Sequence, residues 1–316
     1  MKNFKVGLCF SRPFEGIAPL DHIGIKQPVY LRLLELCGKE GWETYVLTKK
    51  TYMGDGVFAG AWLFNKGGFE RINGPVKIDV VYDRSGGIKF PPGDDTSFKV
   101  VNVRDFKILC WDKLKTYKEI GRYMPKSVWV GRFDNYKKIL RQIGTARIVL
   151  KPYNGLKGDG IYIGPKEKIA GFIPNPKKKY IAQEFIDTSG GIAGITPGLH
   201  DLRVVVVNRE AVWCHVRVPQ GDSLLANAAL GGNLCEVDYN KVPSSIKRTV
   251  DAVSSDFSDR FDNPIYSLDF GMENGKPYIF EINDQIGFPK WEMKQRDAFL
   301  KGLVLNFKQK LYAKQN

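Results

Sequence analysis

The sequence predicts a mixed α/β protein made of two architectures in series. The first third alternates short apolar runs with an amphipathic stretch, the order of a small parallel α/β layer. Strands dominate the remainder, which reads as α+β. The length, 316 residues, suits two domains at roughly 100 to 200 residues each.

In chain order, residues 5–10 read as a strand, 27–39 as a helix, and 42–47 and 78–82 as further strands. Loops after parallel strands commonly hold ligands. Attention therefore falls on Ser11 and Arg12 after the first strand and on Arg84-Ser85-Gly86-Gly87 after the later one, with ordinary turns as the alternative. A Pro/Gly/Asp-rich stretch at 90–97 interrupts the pattern and places a domain boundary near residue 105. The division is an N-terminal domain, 1–105, and a second, 106–316.

The second part opens with helices around 113–123 and 135–143. Strands follow at 147–150, 161–163, 180–185, 202–207 and 211–218. Two long polar connections, 188–198 and 219–233, read as active-site loops on length alone. Pro243 and Ser244 open a helix with Ile246, Val250, Val253 and Phe257 at helical spacing. A hairpin comes next, then a closing helix whose Phe299, Leu300, Leu303, Val304 and Phe307 read as core.

Composition removes several function classes. Apolar residues at 43% and charged residues at 26% exclude a disordered chain. No apolar run approaches the ~20 residues of a membrane span. The N-terminal run from Val6 to Phe10 stops at Ser11 and Arg12, short of a signal-peptide core, so a cytoplasmic location is expected. Five scattered cysteines without a C-x-x-C pair indicate reduced thiols. The +14 net charge favours anionic ligands without naming them.

Three groups of residues carry chemistry. Lys151-Pro152 precedes Gly155, Gly158 and Gly160 between two strands, where backbone N–H groups would cover a phosphate as a flap; a tight hairpin turn is the alternative. In the last hairpin the even positions Leu268, Phe270, Phe280 and Ile282 are apolar, whereas Asp269, Glu281 and Asn283 are odd. Glu281 and Asn283 then share a face, and Asp269 joins them if the turn has an odd number of residues; a two-residue Asn274-Gly275 turn would break the set. Two carboxylates and an amide oxygen suit Mg²⁺, and no cation partner is expected nearby; a solvated polar face is the alternative. Arg203 and Arg217 lie in apolar strands and call for an anion, either a ligand or an internal partner such as Asp201 or Asp222.

Read in order, these pieces resemble the ATP-grasp superfamily, especially its glutathione-synthetase-like and ribosomal-protein glutamate-ligase-like branch. Trp111-Asp112-Lys113 with Thr116, then Met124-Pro125-Lys126-Ser127, resemble the opening of its ATP-binding module. The Lys151 to Ile161 segment follows, then Gln183 to Ile186, His200-Asp201-Leu202-Arg203, Arg217 with Asn227 and Gly231-Gly232, and finally Asp269 with Glu281-Ile282-Asn283. The elements cover roughly residues 102–288. Trp111-Asp112-Lys113 and Tyr82-Asp83-Arg84 are also similar to a spore-coat-associated ATP-grasp group.

The resemblance implies an ATP-grasp fold behind an N-terminal parallel α/β domain, with nucleotide held between lobes 106–185 and 186–316. It implies that Lys113 and Lys151 contact phosphates under the Gly155, Gly158 and Gly160 flap, and that Gln183, Glu184, Phe185 and Ile186 form the hinge at the adenine edge. Asp269, Glu281 and Asn283 would hold two Mg²⁺ ions, with Mn²⁺ as a substitute, while Arg203, Arg217 and Asn227 would stabilise transferred phosphoryl and acyl oxygens. The implied reaction is ATP-dependent carboxylate-amine ligation through an acyl phosphate. A kinase acting on a small-molecule hydroxyl and a non-catalytic nucleotide-binding protein are the alternatives. The implied partners are ATP, a small-molecule or peptide carboxylate and an amine, with no membrane, no preference for nucleic acid, and a homodimer allowed. Arg12 and Arg84 are the expected contacts to the acid. The chain departs from the family at Asn283-Asp284-Gln285-Ile286-Gly287, where relatives carry a small residue and proline before the glycine.

Overall fold

The computed structural model describes residues 3–12, 18–86, 90–91, 93, 98–131, 136–154, 160–219, 224 and 233–312. Its first sheet contains β1 (Lys5–Phe10), β2 (Glu43–Thr48), β3 (Tyr52–Gly54), β4 (Val57–Asn65), β5 (Gly68–Lys77), β6 (Val80–Asp83) and β7 (Lys99–Val101), with α1 (Gln27–Lys39) between the first two strands. The order is β3-β4-β2-β1-β6-β7, with β5 paired to β4. Strands β2, β1, β6 and β7 run parallel, as expected. Helix α1 starts at a proline-containing first turn and buries Val29, Tyr30, Leu33, Leu34 and Cys37 against the sheet.

The β4–β5 hairpin was not foreseen. Lys66 and Gly67 both take left-handed φ, 48° and 81°, as a two-residue hairpin turn requires. Its second strand is mostly exposed and contains Gly74 and Pro75, which conceals the alternation expected of a strand.

Asp112 divides the next segment. It ends α2 (Arg104–Trp111) and caps α3 (Lys113–Ile120), its side chain accepting hydrogen bonds from Leu114 N at 3.0 Å and Lys115 N at 3.1 Å. The second sheet is antiparallel, in the order β10 (Tyr162–Pro165), β9 (Arg147–Pro152), β11 (Tyr180–Glu184), β8 (Ser127–Gly131), with the short α4 (Tyr136–Leu140) after β8. The third, also antiparallel, is ordered β14 (Asn233–Glu236), β13 (Glu210–Val218), β12 (Asp201–Val207), β15 (Tyr266–Glu273), β16 (Lys276–Asn283).

The two faces of the third sheet have different fates. Val204 and Val206 share a core with α5 (Ser244–Arg260), through Ile246, Val250, Val253 and Phe257. Val205 and Val207 face the other way, into a core with Phe299, Leu300, Leu303 and Phe307 of α6 (Arg296–Tyr312) and with Val6, Leu8 and Tyr82 of the first sheet. The last helix is therefore the joint between the first and third sheets. On that face β12 changes from apolar to polar at Arg203 and Asp201, and there the site begins. Among the described residues no helix is long and apolar enough to cross a membrane.

Candidate active site

The hairpin β15–β16 departs from the expectation in two ways that cancel. Its turn is the two-residue Asn274-Gly275, with φ 50° and 79°, which was expected to send Asp269 to the opposite face. However, the register shifts between Asp269 and Phe270: Phe270 pairs with Ile279, whereas Asp269 pairs with Glu281. Phe280 is the extra residue of a β-bulge. It is only half-buried, unlike Leu268, Phe270 and Ile282, so its place in the apolar alternation is corrected. Gly271 permits the bulge, because a Cβ there would collide with the Phe280 ring. Asp269 and Glu281 consequently stand directly opposite each other.

The pairing continues as a row across the sheet, His215 beside Arg203, Arg203 beside Asp269, Asp269 beside Glu281. Arg203 grips Asp269 bidentately, Nε to Oδ1 and Nη2 to Oδ2, both at 2.6 Å. Arg217 Nη2 donates to Asp269 Oδ2 at 2.8 Å and also to Asp201. Asn283 Nδ2 approaches the same Oδ2 at 3.3 Å. The expectation that no cation stands near the oxygen ligands is thus corrected: cations arrive from neighbouring strands, both arginines hold the anticipated metal ligand Asp269, and Arg217 also has the expected internal partner Asp201, while Asp222 lies outside the described residues.

Charge balance decides the protonation states. Burial alone would raise the Asp269 carboxyl, but Arg203 and Arg217 overcome it and hold the group well below the usual carboxylate range. Asp201 is pushed up to about 7, by burial first and then by the Asp269 charge, against the pull of Arg217. Burial, then Arg203 and Arg217, lower His215 to about 3, so its imidazole is neutral. Asp201, expected only as a partner of the arginines, and His215, for which no role is expected, both join the site; they share parity with Arg203 and Arg217 respectively.

Two lysines, one from α3 and one from β9, close the site. Lys113 Nζ lies 3.0 Å from Glu281 Oε1. The buried Lys151 Nζ donates to Gln183 Oε1 at 3.0 Å and crosses to the Phe280 carbonyl of the third sheet at 3.2 Å. Burial, then the Lys113 charge, lower it to about 8. Gln183 is held in turn by its Nε2 donating to Ser127 Oγ at 2.8 Å.

In the segment expected as the hinge, Glu184 N donates to Lys126 O at 2.9 Å and Phe185 N to Thr145 Oγ1 at 3.2 Å, while Glu184 Oε1 accepts from Gly144 N. Ile186 is buried. Gly160 takes φ 73°; Gly155, Gly158 and Asn227 lie outside the described residues.

The N-terminal arginines are not equivalent. Arg84 Nη2 donates to the Ile286 carbonyl at 2.6 Å, and its guanidinium stands 5.3 Å from the ring centroids of both Tyr82 and Phe288. Arg12 is exposed and makes no hydrogen bond or ion pair among the described residues. A further network was missed altogether: Lys107 Nζ lies 3.1 Å from Asp83 and 3.4 Å from Asp284, and Gln285 Nε2 donates to the Asp83 carbonyl and to Asp284. The unfamiliar Asp284-Gln285 pair therefore ties the end of β16 to the first sheet.

Among the described residues no three His, Cys, Asp or Glu side chains group as a metal site, and the candidate set is two carboxylates with an amide. Its hard oxygens suit Mg²⁺. Glu281, with a side chain 33% exposed, has Lys113 as its ion-pair partner. Asp269 already accepts from Arg203, Arg217 and Asn283, so a metal ion there would exchange with one of these contacts.

Comparison with known proteins identifies the family and the fold. A family model described as an ATP-grasp domain matches residues 110–287, and the chain belongs to that family. Among curated relatives, a probable alpha-L-glutamate ligase of Psychromonas ingrahamii is 26% identical over 138 residues, 42% of this chain and 43% of that protein. One from Legionella pneumophila is 24% identical over 206 residues, 63% of each. The matches thus span between about two-fifths and two-thirds of those relatives. Among solved structures, a RimK domain ATP-grasp protein from Sphaerobacter thermophilus superposes with TM-score 0.60 at 14% identity, covering 96% of this chain and 98% of its own. A D-alanine–D-alanine ligase from Bacillus anthracis complexed with ATP gives 0.55 at 14% identity, covering 98% and 97%. The fold is that of the ATP-grasp ligases.

Proposed function

We propose that the protein is an ATP-dependent carboxylate-amine ligase that forms an amide through an acyl phosphate. The observation that carries this is the meeting of Lys113 and Lys151 with Glu281, Asp269, Arg203 and Arg217 between the second and third sheets. The relatives' name, alpha-L-glutamate ligase, supports it. Cations beside hard oxygen ligands are what two anions, ATP and a carboxylate, need before they can approach.

Lys113 and Lys151 bind the phosphates, and the segment 155–160, of which only Gly160 is among the described residues, would cover them. The Glu184 and Phe185 N–H groups are engaged within the protein, so an adenine amino group would meet hinge carbonyls. Asp269, Glu281 and Asn283 would hold Mg²⁺, as two ions in the full reading or Mn²⁺ in their place; the metal supplies charge neutralisation at the phosphates. A carboxylate oxygen attacks the γ-phosphorus and ADP leaves. The amine nitrogen then attacks the acyl carbon, loses a proton, and phosphate departs; Arg203, Arg217 and Asn227 stabilise the oxyanions. The division at residue 105 and a cytoplasmic location belong to the same reading.

Phosphorus NMR of a turnover mixture tests it: ADP and inorganic phosphate are expected, with hydroxylamine trapping the acyl phosphate as a hydroxamate. AMP and pyrophosphate would refute γ-phosphoryl transfer, and a stable phosphate ester formed without amine would favour the kinase.

A further inference from the structure

We propose that Lys26 and Arg84 form a subsite for a second anionic group, carboxylate or phosphate, of the acid substrate, so that the chain selects acids bearing negative charge beyond the carboxylate that reacts. This rests on the ligase reading and adds the substrate's charge class.

The geometry begins with α1. Tyr30 stacks on Phe288 with ring centroids 4.0 Å apart and planes 6° apart. Lys26 precedes Tyr30 by four residues, one helical turn, and so falls over the neighbouring Gly287. A Cβ at Gly287 would come 3.4 Å from Lys26 Nζ. Arg84 reaches the same segment from β6, donating to Ile286 O and standing over Phe288. Two cations from the first layer therefore flank the stretch that follows Asn283.

Arg84 donates to the Tyr82 hydroxyl at 3.4 Å and to the Ile286 carbonyl, but Lys26 is not answered in that way. Lys26 Nζ makes no hydrogen bond or ion pair among the described residues, although the residue is half-buried. The ammonium is disfavoured by burial first and then by Arg84, Lys290 and Arg203. The last of these belongs to the row holding Asp269, which ties Lys26 to the reacting side of the third sheet. Asp83 and Asp284, the acids beside Arg84, both pair with Lys107. A half-buried cation among like charges is costly unless an anion joins it. The reacting carboxylate belongs beside the γ-phosphate, so the anion here is a different group of the same substrate.

The test compares matched probes, L-glutamate against L-glutamine and O-phospho-L-serine against L-serine, in ADP release by the full chain with ATP, Mg²⁺ and a mixture of amines. The charged member of at least one pair should be the better substrate, and Lys26→Met should raise its KM about tenfold or more while leaving the ATP KM within about twofold. Lys26→Arg should recover part of the loss. An unchanged KM in Lys26→Met, or equal use of charged and neutral members, overturns the subsite. If no acid releases ADP, the ligase reading fails by itself, and a second measurement still decides the subsite. With ADP and Mg²⁺ bound, acetylation of Lys26 by N-hydroxysuccinimidyl acetate, followed by mass spectrometry, should slow about fivefold with glutamate or phosphoserine and not with glutamine or serine. Slowing by glutamate alone, or by phosphoserine alone, identifies the anion as carboxylate or phosphate. Unprotected Lys26 with all four overturns the proposal.

Discussion

Gly271 and Phe280 face each other across the β15–β16 hairpin, the ring filling the place a Cβ would need. Thr188 Cγ2 closes the same space, 2.8 Å from that Cβ position, so the ring cannot simply turn aside. Gly271→Ala should expel Phe280 and disturb the bulge that sets Asp269 opposite Glu281. Overpacking of this kind costs roughly 1 to 3 kcal/mol. Urea unfolding should show that loss together with a raised Mg²⁺ requirement for ATP binding; a variant with wild-type stability and Mg²⁺ dependence would show the bulge does not depend on this glycine.

Lys151 gives the site a pH dependence with a definite sign. Its folded value, lowered to about 8 by burial and by Lys113, lies below the ~10.4 of an unfolded lysine. The charged form is therefore penalised in the folded protein at neutral pH, and stability gains from this group as pH rises from about 8 toward 10.4. Phosphate binding works the other way, since it needs the ammonium. Affinity for ATP should fall as pH rises through about 8, and binding near that pH should take up a proton, visible in calorimetry as a heat that varies with buffer ionisation. Lys151→Arg, charged throughout, should remove the proton uptake. Identical buffer dependence in both proteins would exclude Lys151 as the group responsible.

Asn102 holds a junction that no sequence motif marks. Buried, and with φ 63°, it receives Ile265 N at 2.7 Å on Oδ1 and donates from Nδ2 to Ile265 O at 2.6 Å and Asp284 O at 3.1 Å. Asn102→Ala would strand these groups and place alanine in a left-handed conformation, at a combined cost of roughly 2 to 4 kcal/mol. Chemical denaturation checks this. A loss below about 0.5 kcal/mol, the range of ordinary surface changes, would mean water replaces the side chain.

Legibility in the sequence followed periodicity. Helices α1 and α5 and the core of α6 announce themselves through apolar spacing on one buried face, and strand β1 through a continuous apolar run, because both of its faces are buried. Strand β5 does not, since exposed residues with Gly74 and Pro75 leave no alternation to read. Asp269, Glu281 and Asn283 were found by parity, yet parity alone would have failed: the shift at Phe280 depends on Gly271 in the facing strand. The embrace of Asp269 by Arg203 and Arg217 was hidden for a similar reason, since strand pairing and not sequence distance brings them together.

Arg84 and Arg12 both follow strands of the first sheet, but the fold gives them unequal burdens. Arg84 supports the Ile286 carbonyl and covers two aromatic rings, so Arg84→Met should lower stability by roughly 1 to 2 kcal/mol as well as raise the KM for the acid. Arg84→Lys keeps the charge and loses the planar fork. It should therefore share most of the stability loss while retaining a lower acid KM than the methionine variant. Arg12, exposed and without a hydrogen bond or ion pair among the described residues, should tolerate Arg12→Met with no change in unfolding midpoint, which leaves any rise in acid KM attributable to a lost substrate contact. Steady-state kinetics beside urea melts separate the two arginines. A wild-type acid KM in Arg12→Met removes Arg12 from the substrate site, and equal KM values for Arg84→Met and Arg84→Lys would assign Arg84 to scaffolding alone.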